Sequence, residues 1–386
     1  MSAIKVVTLT SSLIISGLLL SGCSWFFSDE TEPETPDTEE EIPVDENDTE
    51  DTDTDPEEDP EDEDETEAEI EQDVTVWFPQ LEDTLLDYEG QGNEFAPFTR
   101  YPQFVKDDTL QMVESTGGTD VVTIYAYSDE EVREVFKRAE TYFREDFDDT
   151  GLASEQEDFE IILQQPLEVG HSWESPSGST AEITGVNIEK DLPIGTVLTL
   201  EVTRLFDNGS EIIEYYGEDF GLVERVFHVD DEEDTISSTL NTLSEDTPEE
   251  IQLTVYSVDD QAMGLDSTPV TMELYTNEPA RLAIAEILKG QAPDTETAQV
   301  IADGVDINFM YLRQDGVVHA DFSVELTDMN AGSGVEAMIL QGIVNTIGEY
   351  YGVEDVLITL DNEPYESGHI LMEEGETWSV DHSNVN

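Results

Sequence analysis

Short runs of alternating hydrophobic and polar residues fill most of residues 74–246 and predict β-strands. VVTIYAY (Val121–Tyr127) alternates weakly, and EITGVNIE, TVLTLEVTRL and EIIEYY follow at short spacing. Asp207-Asn208-Gly209, between the last two runs, is typical of a tight hairpin turn. We therefore predict a mainly β N-terminal domain over residues 74–246.

One helix is predicted inside this domain, from Asp129 to about Phe147. Ser128 is a suitable N-cap, and Glu131 follows it three residues later, as in a capping box. The domain is thus expected to combine many strands with a single helix.

The pattern becomes more regular over residues 247–386. IQLTVYS and PVTMELYT each place apolar side chains on one face of a strand. Asn277 is a candidate cap for a helix with Pro279 in its first turn, and Gly290 would end that helix. VDINFMYL and VVHADFSV then flank Gln314-Asp315-Gly316, which predicts a second hairpin.

A longer helix is predicted in GSGVEAMILQGIVNTIGEYYG, before a last strand, VLITL. Ser333 and Glu336 fit a capping box at its start, and Gly352 is a suitable stop. Gly342 lies on the apolar face, which indicates a close backbone approach to the sheet. The order ββαββαβ predicts an α+β two-layer sandwich, with two helices on one face of a small mixed sheet.

The N-terminus has the layout of a secretory signal. Lys5 is followed by the 15-residue apolar run Val6–Leu20, which is too short to span a bilayer. Leu20-Ser21-Gly22-Cys23 resembles a bacterial lipobox, so we predict a lipoprotein signal peptide over residues 1–22 and fatty acyl chains, palmitate among them, on Cys23. Because Cys23 is the only cysteine, an intramolecular disulfide is excluded.

Charge is concentrated after the leader. Of the 45 residues in 29–73, 27 are Asp or Glu, which predicts a disordered acidic stalk over residues 23–73. Residues 74–386 still have 68 acidic and only 12 basic residues. Such a charge excludes nucleic-acid binding and favours a salt-rich or alkaline external medium; binding of polyvalent cations by the acids is the alternative.

Candidate chemical sites are few. The five histidines show no metal-ligand spacing, and Ser367-Gly368-His369 lacks the geometry expected of a nucleophile and its base. No cofactor motif is present, so we predict neither cofactor nor metal. His171 and Trp173 are expected in a strand and its core. For Tyr350 and Tyr351 two interpretations stay open: inward packing, which we favour, and an aromatic interaction surface.

Two resemblances follow from these segments. GGTD (117–120), ETYFRE (140–145), PLEVGHSW, AEITGV and YYGEDFGLVERVF resemble the N-terminal region of uncharacterised lipoproteins from Gram-positive spore formers. DINFMYLRQDGVVHADFS, GSGVEAMILQGIVNTIGEYYGVEDVLITLDNEP and ESGHILMEEGETWSV resemble the GerMN (Germane) domain of sporulation and germination lipoproteins. The family's germination protein has two such domains in tandem, whereas this chain has one.

The second resemblance implies a non-catalytic module of the ring-building type, used in assemblies at the cell envelope. We therefore expect a lipid-anchored protein on the extracytoplasmic face of the cell membrane, with envelope proteins or its own copies as partners. A module that binds peptidoglycan or another wall polymer is the alternative, and a wall hydrolase is a third hypothesis. Abundant carboxylates make any single acidic pair uninformative for the last.

Overall fold

Twelve antiparallel strands of the N-terminal half form one sheet. The computed structural model describes residues 70–92, 96–149, 159–228 and 235–386, and these lie in one compact unit. The sheet order is β6-β5-β4-β3-β2-β1-β12-β11-β10-β9-β8-β7. The strands are β1 (Leu85–Gln91), β2 (Phe98–Val105), β3 (Thr109–Thr116), β4 (Asp120–Tyr127), β5 (Glu131–Ala139), β6 (Ile161–Gln164), β7 (Ser172–Glu174), β8 (Thr180–Leu192), β9 (Gly195–Leu205), β10 (Glu211–Gly217), β11 (Gly221–His228) and β12 (Thr235–Ser244).

Alternating side chains of this sheet supply its core, as the period of two requires. Leu110, Val132, Ile183, Leu200 and Val202 are all fully buried in one apolar cluster. A single turn of helix, α1 (Val74–Trp77), precedes the sheet and packs its two buried residues on the same cluster.

The predicted helix over 129–147 is wrong, because strand β5 occupies its first half. β5 pairs with β4 along its whole length, from Val121 opposite Ala139 to Tyr127 opposite Val132. Ser128 Oγ does accept the backbone N–H of Glu131, at 3.0 Å, but it does so in the turn between the two strands. A Ser-x-x-Glu cap can stabilise a turn as well as a helix, so the local signal was ambiguous.

An ion-pair ladder runs between side chains of this sheet. Arg225, the central cation, lies 3.3 Å from Glu214 and 3.7 Å from Glu114. The ladder continues to Arg204 on one side and Arg100 on the other. Burial opposes ionisation of Glu114, yet the charges of Arg100 and Arg225 lower its pKa. Several of the scarce basic residues are therefore used inside the protein.

The C-terminal half contains two further sheets, two α-helices and a short 3₁₀ helix, Val324–Asp328. β13 and β14 form a two-stranded sheet, and a five-stranded sheet has the order β15-β16-β17-β18, with β19 also paired to β17. Strands β16 and β17 are parallel, whereas the other strand pairs of these two sheets are antiparallel. The elements are β13 (Glu249–Val258), β14 (Leu265–Leu274), α2 (Ala280–Leu288), β15 (Ile307–Leu312), β16 (Val318–Phe322), α3 (Ser333–Tyr351), β17 (Asp355–Leu360), β18 (Glu363–Pro364) and β19 (Trp378–Ser379).

The described chain is thus mainly β with few helices, within the predicted α+β class. The strands after residue 247 are divided between two sheets, whereas one small mixed sheet was predicted. Helix α3 contacts both sheets, since it packs on β13 and also on β16 and β17.

Helix α3 shows which boundary signals in the sequence were informative. Gly352 ends it with a left-handed φ of 66°, as predicted. An added Cβ at Gly342 would lie 2.5 Å from the Tyr256 carbonyl oxygen, which confirms the close approach to a strand. The capping box is wrong: Ser333 is already helical, no side chain caps the helix, and Glu336 is buried.

The start of α2 also differs from the prediction. Pro279 is its N-cap, and Asn277 lies before the helix with a φ of 67°. The Asn277 side chain instead accepts the backbone N–H of Val105, in β2, at 2.8 Å. A residue expected to cap a local helix therefore bonds to the N-terminal sheet.

Candidate functional site

The outer face of the five-stranded sheet brings six side chains into a two-by-three array. Register places Tyr311, His319 and Leu357 in one row across β15, β16 and β17. The neighbouring row contains Phe309, Asp321 and Thr359. The alternate positions, such as Val318, Ala320, Val356 and Ile358, are fully buried in the core. The sheet is therefore apolar on one face and polar-aromatic on the other.

Three rings of this array form a partly exposed cluster, which we call the ring cluster: Phe309, Tyr311 and His319. The centroids of Phe309 and His319 are 4.9 Å apart and edge-on, and Tyr311 lies 5.7 Å from each of them. All three are of intermediate exposure. Aromatic side chains that carry a polar group are enriched among the residues that contribute most of the binding energy of protein interfaces.

A buried carboxylate fixes the floor beneath these rings. Asp321 is fully buried, and it accepts hydrogen bonds from Asn308 Nδ2 at 2.8 Å and from the backbone N–H of Asn362 at 2.7 Å. The Thr359 hydroxyl also donates to Asp321, at 2.5 Å. Every one of these donors comes from a different strand or turn, so the carboxylate ties the sheet together.

The same hydroxyl determines the tautomer of His319. Thr359 Oγ1 gives its proton to Asp321, so it can only accept from His319 Nε2, 2.8 Å away. Nδ1 is then the acceptor and lies 3.4 Å from the Tyr311 hydroxyl. Burial and the nearby Arg313 lower the pKa of His319, against the opposing charge of Asp321. A neutral imidazole with a fixed orientation results.

This chain of hydrogen bonds is unsuited to nucleophilic chemistry. A nucleophilic hydroxyl needs a base that accepts its proton, whereas here the imidazole donates to the hydroxyl. The arrangement fixes the rings of Tyr311 and His319, whose polar atoms bond to each other and to Thr359, and it leaves both rings partly exposed.

The edge of the sheet beside the ring cluster is closed by side chains. Arg281 donates to the Ile307 carbonyl at 2.9 Å, and the Tyr351 hydroxyl donates to the Met310 carbonyl at 3.3 Å. Glu145 Oε2 accepts the Leu312 N–H at 2.9 Å. Side chains therefore occupy some of the backbone N–H and C=O groups that strand β15 does not use for pairing with β16.

The Ser367-Gly368-His369 segment is held against the start of α3 by hydrogen bonds to Glu336. His369 Nδ1 lies 2.7 Å from Glu336 Oε2, and the Tyr365 hydroxyl donates to Glu336 Oε1 at 2.9 Å. Ser367 Oγ accepts the backbone N–H of His369, so it faces a turn and not the imidazole. Burial opposes ionisation, but hydrogen bonds from Ser367, His369 and Tyr365 lower the pKa of Glu336.

Tyr350 and Tyr351 are packed inside, so the interaction surface considered for them is wrong. They are 7% and 6% exposed, and their rings meet edge-on at 5.0 Å. The Tyr350 hydroxyl bonds to the backbone of Arg144, in the N-terminal half. Both tyrosines therefore join parts of one molecule.

Other predicted site residues are placed as follows. Trp173 is buried in β7 and donates to the Ile161 carbonyl at 3.0 Å, next to a half-buried His171. Cys23, with the leader and the acidic stalk, lies outside the described residues. Within the described ranges, no three His, Cys, Asp or Glu side chains are grouped to hold a metal ion. No helix in those ranges is long and apolar enough to cross a membrane.

Sequence analysis missed the ring cluster. Phe309 and Tyr311 are two residues apart in one strand and therefore share a face, and His319 follows in the other strand of the same hairpin. The sequence did not show which face of the five-stranded sheet the helices cover. A bulge between Ile307 and Phe309 further obscured the register.

A family model matches part of the C-terminal half. Residues 254–366 match the family model Germane, described as "Sporulation and spore germination". No curated protein matches the chain. The first GerMN domain of the sporulation protein GerM from Bacillus subtilis is 18% identical, with 32% of this chain and 95% of that domain covered and a TM-score of 0.26.

Two further solved structures are similar at the same level. The tandem GerMN domains of that GerM protein are 18% identical, with 40% of this chain covered and a TM-score of 0.27; this chain spans half of their length. A protein described as a lipoprotein from Clostridium perfringens is 16% identical, with 34% and 87% covered and a TM-score of 0.22. Such scores carry no argument about function. Through the family model, residues 254–366 are identified as a domain of the Germane (GerMN) family.

Proposed function

We propose that this protein is a non-catalytic lipoprotein of the cell envelope, whose Germane domain assembles with envelope proteins or with its own copies through the ring cluster. The family description associates the domain with sporulation and spore germination. For this chain we propose in addition the surface of contact, formed by Phe309, Tyr311 and His319.

The proposal rests on three partly exposed rings that contacts within the protein hold in place. Side chains held in place before binding lose little conformational entropy when a partner arrives. Here Thr359 and Asp321 hold His319, while Phe309 and Tyr311 pack against its ring. A rigid aromatic centre that is partly exposed suits a protein partner.

The closed edges of the C-terminal sheets favour contact through a face. Side chains occupy backbone groups of β15, and β14 has Pro269 in its middle, which lacks an N–H. Strand addition would have to displace these contacts. Binding to the outer face leaves them intact.

The anchor is the second part of the proposal. Cys23 would hold the protein at the outer surface of the cell membrane by its acyl chains. The lipobox before it supports this location, and the acidic residues 29–73 would separate the folded part from the bilayer. Mass spectrometry of the mature N-terminus, with a Cys23→Ala variant as control, tests the anchor.

Site-specific photo-crosslinking tests the interface. A benzoylphenylalanine at position 311 of the full-length protein, expressed in its own cells, is expected to give discrete crosslinked bands. Position 275 is the control, because Tyr275 is an exposed tyrosine that lies outside the ring cluster. His319→Ala, combined with the probe at 311, should weaken the bands because it removes the ring that fixes Tyr311.

Two outcomes would contradict the interface. Equal crosslinking at positions 311 and 275 would show that contact is unspecific. Absence of any band at 311 through growth and sporulation, with normal protein abundance, would show that the ring cluster meets no partner.

A further inference from the structure

A cleft of about 640 Å³ lies between the N-terminal sheet and strand β13, well away in the sequence from the ring cluster. Its floor includes Tyr101 and Val113, which are directly opposite each other in β2 and β3. Its size is within the range of small-molecule sites. The function proposed above makes no use of it.

One wall of the cleft is a row of hydroxyl and carboxyl groups. Thr99 is paired with Ser115, and Ser115 is paired with Asp120, so the three side chains lie side by side across β2, β3 and β4. All three are half-buried. On the opposite wall, Glu250 and Gln252 share one face of β13.

An exposed aromatic ring stands beside this row. Tyr142 lines the cleft and is 58% exposed, more than any other aromatic side chain in the described residues. Asp120 belongs to the GGTD segment and Tyr142 to the ETYFRE segment, both of which stood out in the sequence. The fold brings these two segments to one site.

The charges of the cleft limit the ligands that it can accept. No lysine or arginine is found among the described residues that line it, so phosphate and other anions are disfavoured. Glu249 is already paired with Arg144 at 2.9 Å. Burial raises the pKa of Asp120, although a hydrogen bond from Ser115 opposes the rise. Within the described residues, no three His, Cys, Asp or Glu side chains are grouped so that they could hold a metal ion here. A neutral ligand with many hydroxyl groups fits this lining.

We propose that this cleft binds a sugar ring of a neutral oligosaccharide, with Tyr142 stacked on the apolar face of the ring. Thr99, Ser115 and Asp120 would exchange hydrogen bonds with its hydroxyl groups. The inference is independent of the proposed assembly function, because the two surfaces share no residue.

Titration calorimetry on the full-length protein, in a detergent without sugar groups, tests the cleft. The probes are the tetramers of N-acetylglucosamine and of glucose. We expect at least one to bind with a Kd below about 1 mM, and Tyr142→Ala to weaken binding by about 10-fold or more. Tyr142→Phe should retain the affinity within about 2-fold, because stacking needs the ring and not the hydroxyl.

Three controls sharpen the result. Tyr275→Ala removes an exposed tyrosine elsewhere and should leave the Kd unchanged. Asp120→Asn should weaken binding although the Tyr142 ring is still present. Weaker binding by a folded Asp120→Asn protein shows that a contact was lost and not the fold. Raising the salt from about 0.1 to 1 M should change the Kd by less than about 2-fold, because the ligand is uncharged.

The proposal is overturned if the wild-type protein binds neither tetramer up to about 10 mM. It is also overturned if Tyr142→Ala binds like the wild type, or if salt abolishes binding. None of these results affects crosslinking at position 311, so the two proposals can fail separately.

Discussion

The guanidinium of Arg144 lies 2.9 Å from the carboxylate of Glu249, and its side chain is fully buried. Arg144 follows strand β5 of the N-terminal sheet, whereas Glu249 begins strand β13 of the C-terminal half. The same guanidinium donates to the carbonyls of Gln103, at 2.7 Å, and Tyr275, at 2.6 Å. One side chain therefore connects the two halves of the described chain.

Removing this cation should destabilise the whole unit. Arg144→Met leaves Glu249 buried without a counter-charge, so we expect the free energy of unfolding to fall by about 3–5 kcal/mol in urea titrations. Arg313→Met is the matched control, because its pair with Asp315 is exposed, and a change below about 1 kcal/mol is expected. A loss below about 1 kcal/mol for Arg144→Met would show that the connection is dispensable.

Glu145 should make stability depend on pH. Burial raises its pKa from 4.5 to about 7, although the hydrogen bond from the Leu312 N–H opposes the rise. The Tyr351 hydroxyl bonds to the Met310 carbonyl, and Glu145 Oε1 is left buried without a hydrogen-bond partner. The folded protein therefore holds a proton that the unfolded chain releases between about pH 4.5 and 7.

The contribution of Glu145 is thus complete below pH 4.5 and is lost as the pH rises to about 7. At about 1.36 kcal/mol per pKa unit, the loss amounts to roughly 3 kcal/mol at most. Glu145→Gln should remove this part of the pH dependence and be the more stable protein at pH 8, in urea titrations at several pH values. The exposed Glu273→Gln serves as control, and parallel curves for wild type and Glu145→Gln would contradict the assignment.

Two glycines of helix α3 should respond in opposite ways to alanine. Gly342→Ala forces a Cβ against the Tyr256 carbonyl oxygen, and we expect a loss of about 1–3 kcal/mol because backbone must move. Gly334, in the first turn of the same helix, has no atom within 4 Å of an added Cβ. Gly334→Ala should stabilise by up to about 1 kcal/mol, and thermal unfolding of both variants checks the contrast. Equal effects would contradict the close packing of α3 on β13.

Loss of the Thr359 hydroxyl should release His319. Thr359→Val keeps the shape but removes the partner of His319 Nε2 and one donor to Asp321, so stability should fall by about 1–3 kcal/mol. Nitrogen NMR shifts of the imidazole should change from one tautomer to a mixture. Thr271→Val, which loses only an exposed contact with Gln252, is expected to cost less than about 0.5 kcal/mol. An unchanged His319 spectrum in Thr359→Val would refute the hydrogen-bond chain.

Local chemistry was enough to predict several turns and boundaries from the sequence. The Asp207-Asn208-Gly209 turn joins β9 to β10, and Gln314-Asp315-Gly316 joins β15 to β16. Gly352 ends α3. These signals depend on residues that adopt a required φ or close a tight turn, so they act without knowledge of distant contacts.

The remaining features depend on contacts that are distant in the chain. Segment 131–139 is a strand because β4 and β6 flank it, and its own Ser-x-x-Glu signal cannot reveal those neighbours. Arg144 meets Glu249 across 105 positions, which no local pattern records. The ring cluster required knowing which sheet face the helices cover. Periodicity shows that a strand has two faces, but only packing decides which one is buried.

The side chains that cover the edge of strand β15 affect whether copies of the protein can aggregate at a membrane. Copies held at a membrane by the proposed lipid anchor would meet one another often, and a bare strand edge would allow templated growth into fibres. Arg281, Glu145 and Tyr351 occupy that edge from three separate segments of the chain. Crowding can therefore bring copies together face to face without starting aggregation, provided that the fold keeps all three side chains in place.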